Sequence, residues 1–133
     1  MQVIRAVSIS RNQAGLALVS LRFGLATGSW LAPRWTGRLF GLEPDINPVS
    51  PYLARLFGVR AAWLGTELLL AESDEARREL MRRHMAIDVV DLAATLLGWQ
   101  QGYLNRRGVL LTGLGAVTAI GLALGASGTR PDE

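Results

Sequence analysis

The chain has 133 residues, half of them apolar, with fourteen basic side chains against eleven acidic ones and a formal net charge of +3. The length suits one domain, and the absence of cysteine excludes disulfides, thiolate nucleophiles and metal sites built on thiolates. Every basic residue is arginine and the pI is about 10.5, yet the arginines fall between apolar runs without interleaved aromatics, which argues against nucleic acid as a partner.

In chain order, residues 1–12 alternate Val3, Ile4 and Val7 with Arg5, Ser8 and Arg11, the pattern of a short interfacial segment. Residues 13–32 then have the length of a membrane span at a helical rise of about 1.5 Å per residue, with Arg22 near the middle. Ser20, Gly24, Gly28 and Ala32 recur at every fourth position and predict the face on which a neighbouring helix packs. Ala26-Thr27-Gly28 would also suit signal-peptide cleavage, but the run is long and contains an arginine, so a retained helix is expected. The stretch GLEPDINPVSP reads as an ordered connector, since its three prolines do not fit a helix interior. Ser50-Pro51 reads as an N-cap and first helical residue ahead of a second span, residues 52–72. Ser73 is expected to cap a third helix with Asp74 and Glu75 in its first turn and Glu79 within reach of Arg82 and Arg83. That helix starts in water and enters lipid over residues 85–105. The last run, GVLLTGLGAVTAIGLALGAS, residues 108–127, has no ionisable side chain and is the strongest membrane signal; residues 128–133 form a polar tail.

These runs predict an all-α fold, an integral membrane four-helix bundle. A soluble bundle would show a polar face on every helix, and the last run has none. Arg5, Arg11, Arg77, Arg78, Arg82, Arg83 and Arg130 lie on the side of the termini, against Arg34, Arg38, Arg106 and Arg107 on the other. This asymmetry predicts both termini cytoplasmic in a multi-pass plasma-membrane protein. Gly115, Ala119 and Ala123, with Gly121 and Gly125 on another side, give the last helix more small surface than one neighbour needs, which suggests a homodimer.

Acids inside apolar runs carry the functional expectation. If the second helix leaves lipid near Glu72 and the third enters near Met85, Glu67, Asp88 and Asp91 lie roughly 7, 5 and 9 Å below the same membrane edge. His84, Asp88, Asp91 and Thr95 follow the spacing 4, 3, 4 and share one stripe, and Arg60 shares a face with Glu67. Charges at such depth cost at least about 3 kcal/mol on insertion scales, so they turn inward and find partners. Arg22 and Arg60 offset two acids, and the third is left over, with desolvation and like charge favouring its protonated form. Glu67, Asp88 and Asp91 are therefore the expected acid–base groups. Arg22, Arg60, Trp63, His84 and Thr95 are the expected ligand contacts, His84 standing at the mouth.

The expected function is binding, and conversion by general acid–base chemistry, of a small hydrophobic molecule such as an isoprenoid or lipid. A proton- or cation-coupled transporter and a non-catalytic subunit of a membrane complex are the alternatives. No P-loop, dinucleotide fingerprint or nucleophile elbow is present, and the paired Glu-x-x-His pattern of di-iron bundles is missing, so neither cofactor nor metal is expected. WLAPRWTGRLFGL (30–42) and YLARLFGVRAAWLG (52–65), followed by a charged loop and a helix with Asp88 and Asp91, resemble small bacterial four-helix membrane proteins of unknown function, loosely akin to the DoxX-like group. The resemblance implies a fold, and raises Arg60 as a site residue, without supplying an activity.

Overall fold

The structure, a computed structural model, describes the backbone of residues 2–127 and the side chains of residues 13–126. It contains five helices and no strand among the described residues: α1 (Gln2–Leu31), α2 (Pro33–Leu39), α3 (Ser50–Leu69), α4 (Asp74–Gln100) and α5 (Arg106–Ser127). The side chains of the expected interfacial segment, residues 1–12, and the expected tail, residues 128–133, lie outside what is described.

The expected integral membrane four-helix bundle with cytoplasmic termini is corrected here. Among the described residues two stretches are long and apolar enough to cross a membrane, Gln13–Leu31 in α1 and Arg106–Ala126 in α5. The expected spans at 52–72 and 85–105 fail for one physical reason. Any stretch of α3 long enough to cross contains Arg55, Arg60 and Glu67, and the most apolar end of α4 still carries Arg83, Asp88 and Asp91. With the four-span count gone, the tally of arginines by side no longer fixes an orientation. The extra helix, α2, starts on Pro33, whose fixed φ suits a first helical turn.

Helix α1 is the hub. It lies against α3 on one flank and α5 on the other, while α4 lies on α5 and α2 braces α3. Directions follow from the contacts. A Cβ on Gly58 would sit 2.8 Å from Ser29 Cβ and one on Gly65 would sit 3.2 Å from Arg22 Cβ, so α3 runs antiparallel to α1. Gly15 faces Met81 and Arg22 faces Asp88, so α4 runs parallel to α1. The apolar core is narrow: Leu18, Leu68, Met81, Ala119 and Ala123 meet where α1, α3, α4 and α5 converge.

The packing face of α1 is not the predicted one. Ser20, Gly24 and Ala32 are exposed, and a Cβ on Gly24 would meet nothing, whereas Leu18, Arg22, Ala26 and Ser29 are buried. The guanidinium decides the rotation: Arg22 has to face Asp88, and that turns the small-residue stripe outward. In α5 the buried small residues are Ala116, Ala119 and Ala123, so the expected stripe is shifted by one position at its start.

Two boundaries follow from side-chain hydrogen bonds. Ser73 Oγ accepts from Ala76 N–H at 3.1 Å, an N-cap as expected, and Glu79 pairs with Arg82 and Arg83 at 3.7 and 3.1 Å. Ser50, by contrast, is already the first helical residue and Val49 the N-cap, one residue earlier than expected and with no side-chain cap; Asn47 Oδ1 accepts from Val49 N–H at 3.1 Å in the turn that leads in. The connectors are clamped at the end opposite Ser73. Gly41 has φ +74°, and a Cβ on Gly108 would lie 2.7 Å from the Phe40 carbonyl oxygen, so two backbones touch where only glycines fit. Asn105 Nδ2 donates to Glu43 Oε1 at 3.2 Å beside this contact.

Candidate functional site

Three acid–base couples form the polar cluster, and each expected acid has its own basic partner. Arg22 Nη2 donates to Asp88 Oδ2 at 2.6 Å, with the side chains 6% and 3% exposed. Arg60 grips Asp91 with two parallel hydrogen bonds, Nη1 to Oδ1 at 2.9 Å and Nη2 to Oδ2, in the fork geometry that favours guanidinium over ammonium. His84 Nε2 lies 2.8 Å from Glu67 Oε2. The acid expected to be left over is thus Glu67, and it is held by the residue expected at the mouth. His84 is not at a mouth: it is 1% exposed, between α3 and the rest of α4.

The spacing explains why these residues meet. Arg60 and Glu67 are seven apart on α3, and His84 and Asp91 are seven apart on α4, so two antiparallel helices match them as two rungs roughly 10 Å apart. Asp88 sits between the rungs in sequence but turns past α3 to reach α1. Thr95 Oγ1 donates to the Asp91 carbonyl oxygen of its own helix at 2.8 Å, which places it beside the site without offering its hydroxyl to it. Trp63 stands outside: it is 65% exposed and takes no part in the cluster. Arg22 Nε and His84 Nδ1 are buried without a hydrogen-bond partner.

Between α3 and α4 the side chains do not close the seam. A shallow, wide-open groove lies there, lined by Ala86, Ile87, Val90 and Asp91 of α4 and by Arg60 of α3. Arg60 and Asp91 are 38% and 28% exposed on their side chains, so this couple, unlike Arg22–Asp88, can be reached. The wall residues were not anticipated. Ile87 lies one turn before Asp91 and Val90 directly before it, and their apolar character reads as ordinary helix surface until the groove is seen. Among the described residues no three of His, Asp and Glu stand together as a metal site.

A fourth acid, unforeseen as a partner, orders the connector. Asp45 accepts from Arg34 at 2.6 Å and from Arg38 at 2.7 Å in full view of solvent. The hydrogen bond from Arg38 is the largest influence and, joined by the weaker one from Arg34 and by both positive charges, holds the carboxyl below its usual 3.8 against desolvation, which ranks between the two hydrogen bonds.

The outer surface has the opposite character. Tyr52, Leu56, Val59 and Trp63 on α3, and Leu110, Leu114, Val117 and Leu124 on α5, stand exposed at helical spacing. Only 22% and 11% of the two span-length stretches of α1 and α5 are buried, so neither is the enclosed core helix of a globular domain. The chain matches no protein-family model, no curated protein and no solved structure, so the site rests on its own geometry.

Proposed function

We propose that this chain is a plasma-membrane protein whose α1 and α5 cross the bilayer, and that it binds a small lipid-like molecule in the groove between α3 and α4. One observation carries the reading: an apolar groove borders the partly exposed Arg60–Asp91 couple, in a molecule whose mid-helix charges pair with one another while many large apolar side chains stand exposed. A guanidinium has five N–H donors, and Asp91 takes two of them, which leaves donors for a ligand's polar head. Ile87 and Val90 would line the first part of its tail.

Binding is put forward in place of conversion because Asp88 and Asp91 are held by arginines and Glu67 is hydrogen-bonded to His84, so no carboxylate of the three is left without a protein partner. The test uses the full chain in nanodiscs with a fluorescent fatty acid as probe. Val90→Trp, which fills the groove, and Arg60→Gln, which removes the fork, should each weaken retention at least tenfold while the helical circular dichroism is unchanged. Retention equal to wild type in both variants would overturn the reading.

The same complete pairing favours a second reading, a scaffold subunit in which the couples set helix register and no ligand enters. Under it, Val90→Trp and Arg60→Gln would shift stability alone.

A further inference from the structure

We infer that the end of the bundle formed by α2 and the α4–α5 turn is a collar for anionic phospholipid headgroups; the inference rests on the membrane placement proposed above. All six Trp and Tyr residues are exposed, and five of them gather at this one end: Trp30 in the last turn of α1, Trp35 in α2, Tyr52 in the first turn of α3, Trp99 in the last turn of α4, and Tyr103 after it. Only Trp63 lies at mid-helix. The Phe40–Gly41–Gly108 contact and the Asn105–Glu43 hydrogen bond show that these segments share one end in space as well as in topology. Indole and phenol rings, with an apolar body and a polar tip, settle where acyl chains give way to headgroups. Trp30 closes the span-length stretch of α1 and Arg106 opens that of α5, so the belt falls at the matching end of both.

Charge selects the lipid class. At the aromatic end Arg55, Arg106 and Arg107 are exposed and have no ion-pair partner among the described residues, while Arg34 and Arg38 share one aspartate. Among the described residues the opposite end is balanced in kind: Glu72, Asp74, Glu75 and Glu79 stand among Arg77, Arg78, Arg82 and Arg83, and two of those arginines pair with Glu79. Arg106 and Arg107 also occupy the first turn of α5, with no acid there, where the positive end of the helix dipole disfavours cations. They therefore do nothing for their own helix. Phosphate or phosphatidylglycerol-type headgroups at the level of the tryptophans meet the unpaired guanidinium groups with complementary charge.

The experiment reconstitutes the full chain in nanodiscs of equal phosphatidylglycerol and phosphatidylcholine and measures, by native mass spectrometry, which lipids stay bound. Wild type should retain phosphatidylglycerol several-fold over phosphatidylcholine. Arg55→Gln/Arg106→Gln/Arg107→Gln should lose that preference, since each arginine near an anionic surface contributes on the order of fivefold. A second readout needs no arginine variant. In chains with a single tryptophan, Trp35 should be quenched by lipids brominated near the headgroup, and the indole introduced by Val117→Trp, mid-way along the span-length stretch of α5, by lipids brominated deep in the chain. Equal retention of both lipids, an unchanged preference in the triple variant, or quenching of Trp35 by aqueous acrylamide in place of bromolipid would each overturn the inference, the last leaving the collar for a protein partner. Failure of the chain to enter nanodiscs at all would overturn the membrane reading, a different outcome from entry without lipid preference.

Discussion

Two arginine–aspartate contacts in this molecule have the same length, 2.6 Å, and opposite surroundings. Arg22–Asp88 is enclosed between α1 and α4, whereas Arg34–Asp45 stands in the connector with more than half of each side chain exposed. Distance says nothing about which matters. In the enclosed couple neither charge has water to fall back on, so each exists only because of the other; in the exposed couple water and salt replace either partner at little cost.

The largest effect should come from breaking the enclosed couple. Asp88→Asn leaves a guanidinium buried without its counter-charge and should lower stability by about 3–5 kcal/mol, read as a thermal midpoint by circular dichroism in a fixed detergent. Adding Arg22→Met should restore most of the loss. A single variant that unfolds like wild type would erase the distinction between the two contacts. Next comes the closeness of α1 and α3 that keeps Arg22 enclosed: the added methyls of Gly58→Val would press on Ser29 and the Ala26 carbonyl and should cost about 1–3 kcal/mol.

The half-exposed Arg60–Asp91 couple supplies the intermediate case. Arg60→Gln should cost about 1 kcal/mol in the same assay, well below Asp88→Asn, and its main consequence should be loss of the fluorescent probe. The smallest effect belongs to the exposed contact. Asp45→Asn should leave the thermal midpoint unchanged within error, and added salt should reproduce what the substitution does. Its pH dependence has a defined sign: because the folded-state carboxyl titrates below 3.8, its contribution is present above that value and is lost as pH falls through the lower, folded value. A connector that loosened near neutral pH, followed by amide exchange at residues 43–47, would contradict this assignment.

The helices and the pairing logic were legible in the sequence for particular reasons. The uncharged run of α5, the Ser73 cap and the 4, 3, 4 spacing from His84 to Thr95 are local patterns, and each has a local physical cause. That Arg22 and Arg60 meet two acids followed from the cost of leaving such groups alone. Which acid each meets did not follow, since it depends on how α1, α3 and α4 are rotated and stacked. The stripe of small residues on α1 misled for the same reason, the enclosed arginine outweighing it in setting the rotation. Helix α2 was hidden by its two-turn length, and the groove by the ordinariness of Ala86, Ile87 and Val90. The count of spans erred because apolar length was weighed ahead of the three charges that each of α3 and α4 cannot avoid.

The enclosed couple also bears on how the protein is made. Arg22 leaves the ribosome 66 residues ahead of Asp88, so for about half of translation the hub helix exists with no counter-ion to receive its guanidinium. The guanidinium of α1 stays unpaired until α4 emerges, and enclosure of the first helix is thereby coupled to synthesis of the fourth. Ribosome-bound intermediates stalled before and after residue 88 has left the exit tunnel should differ in whether α1 resists proteolysis, the earlier ones being cut.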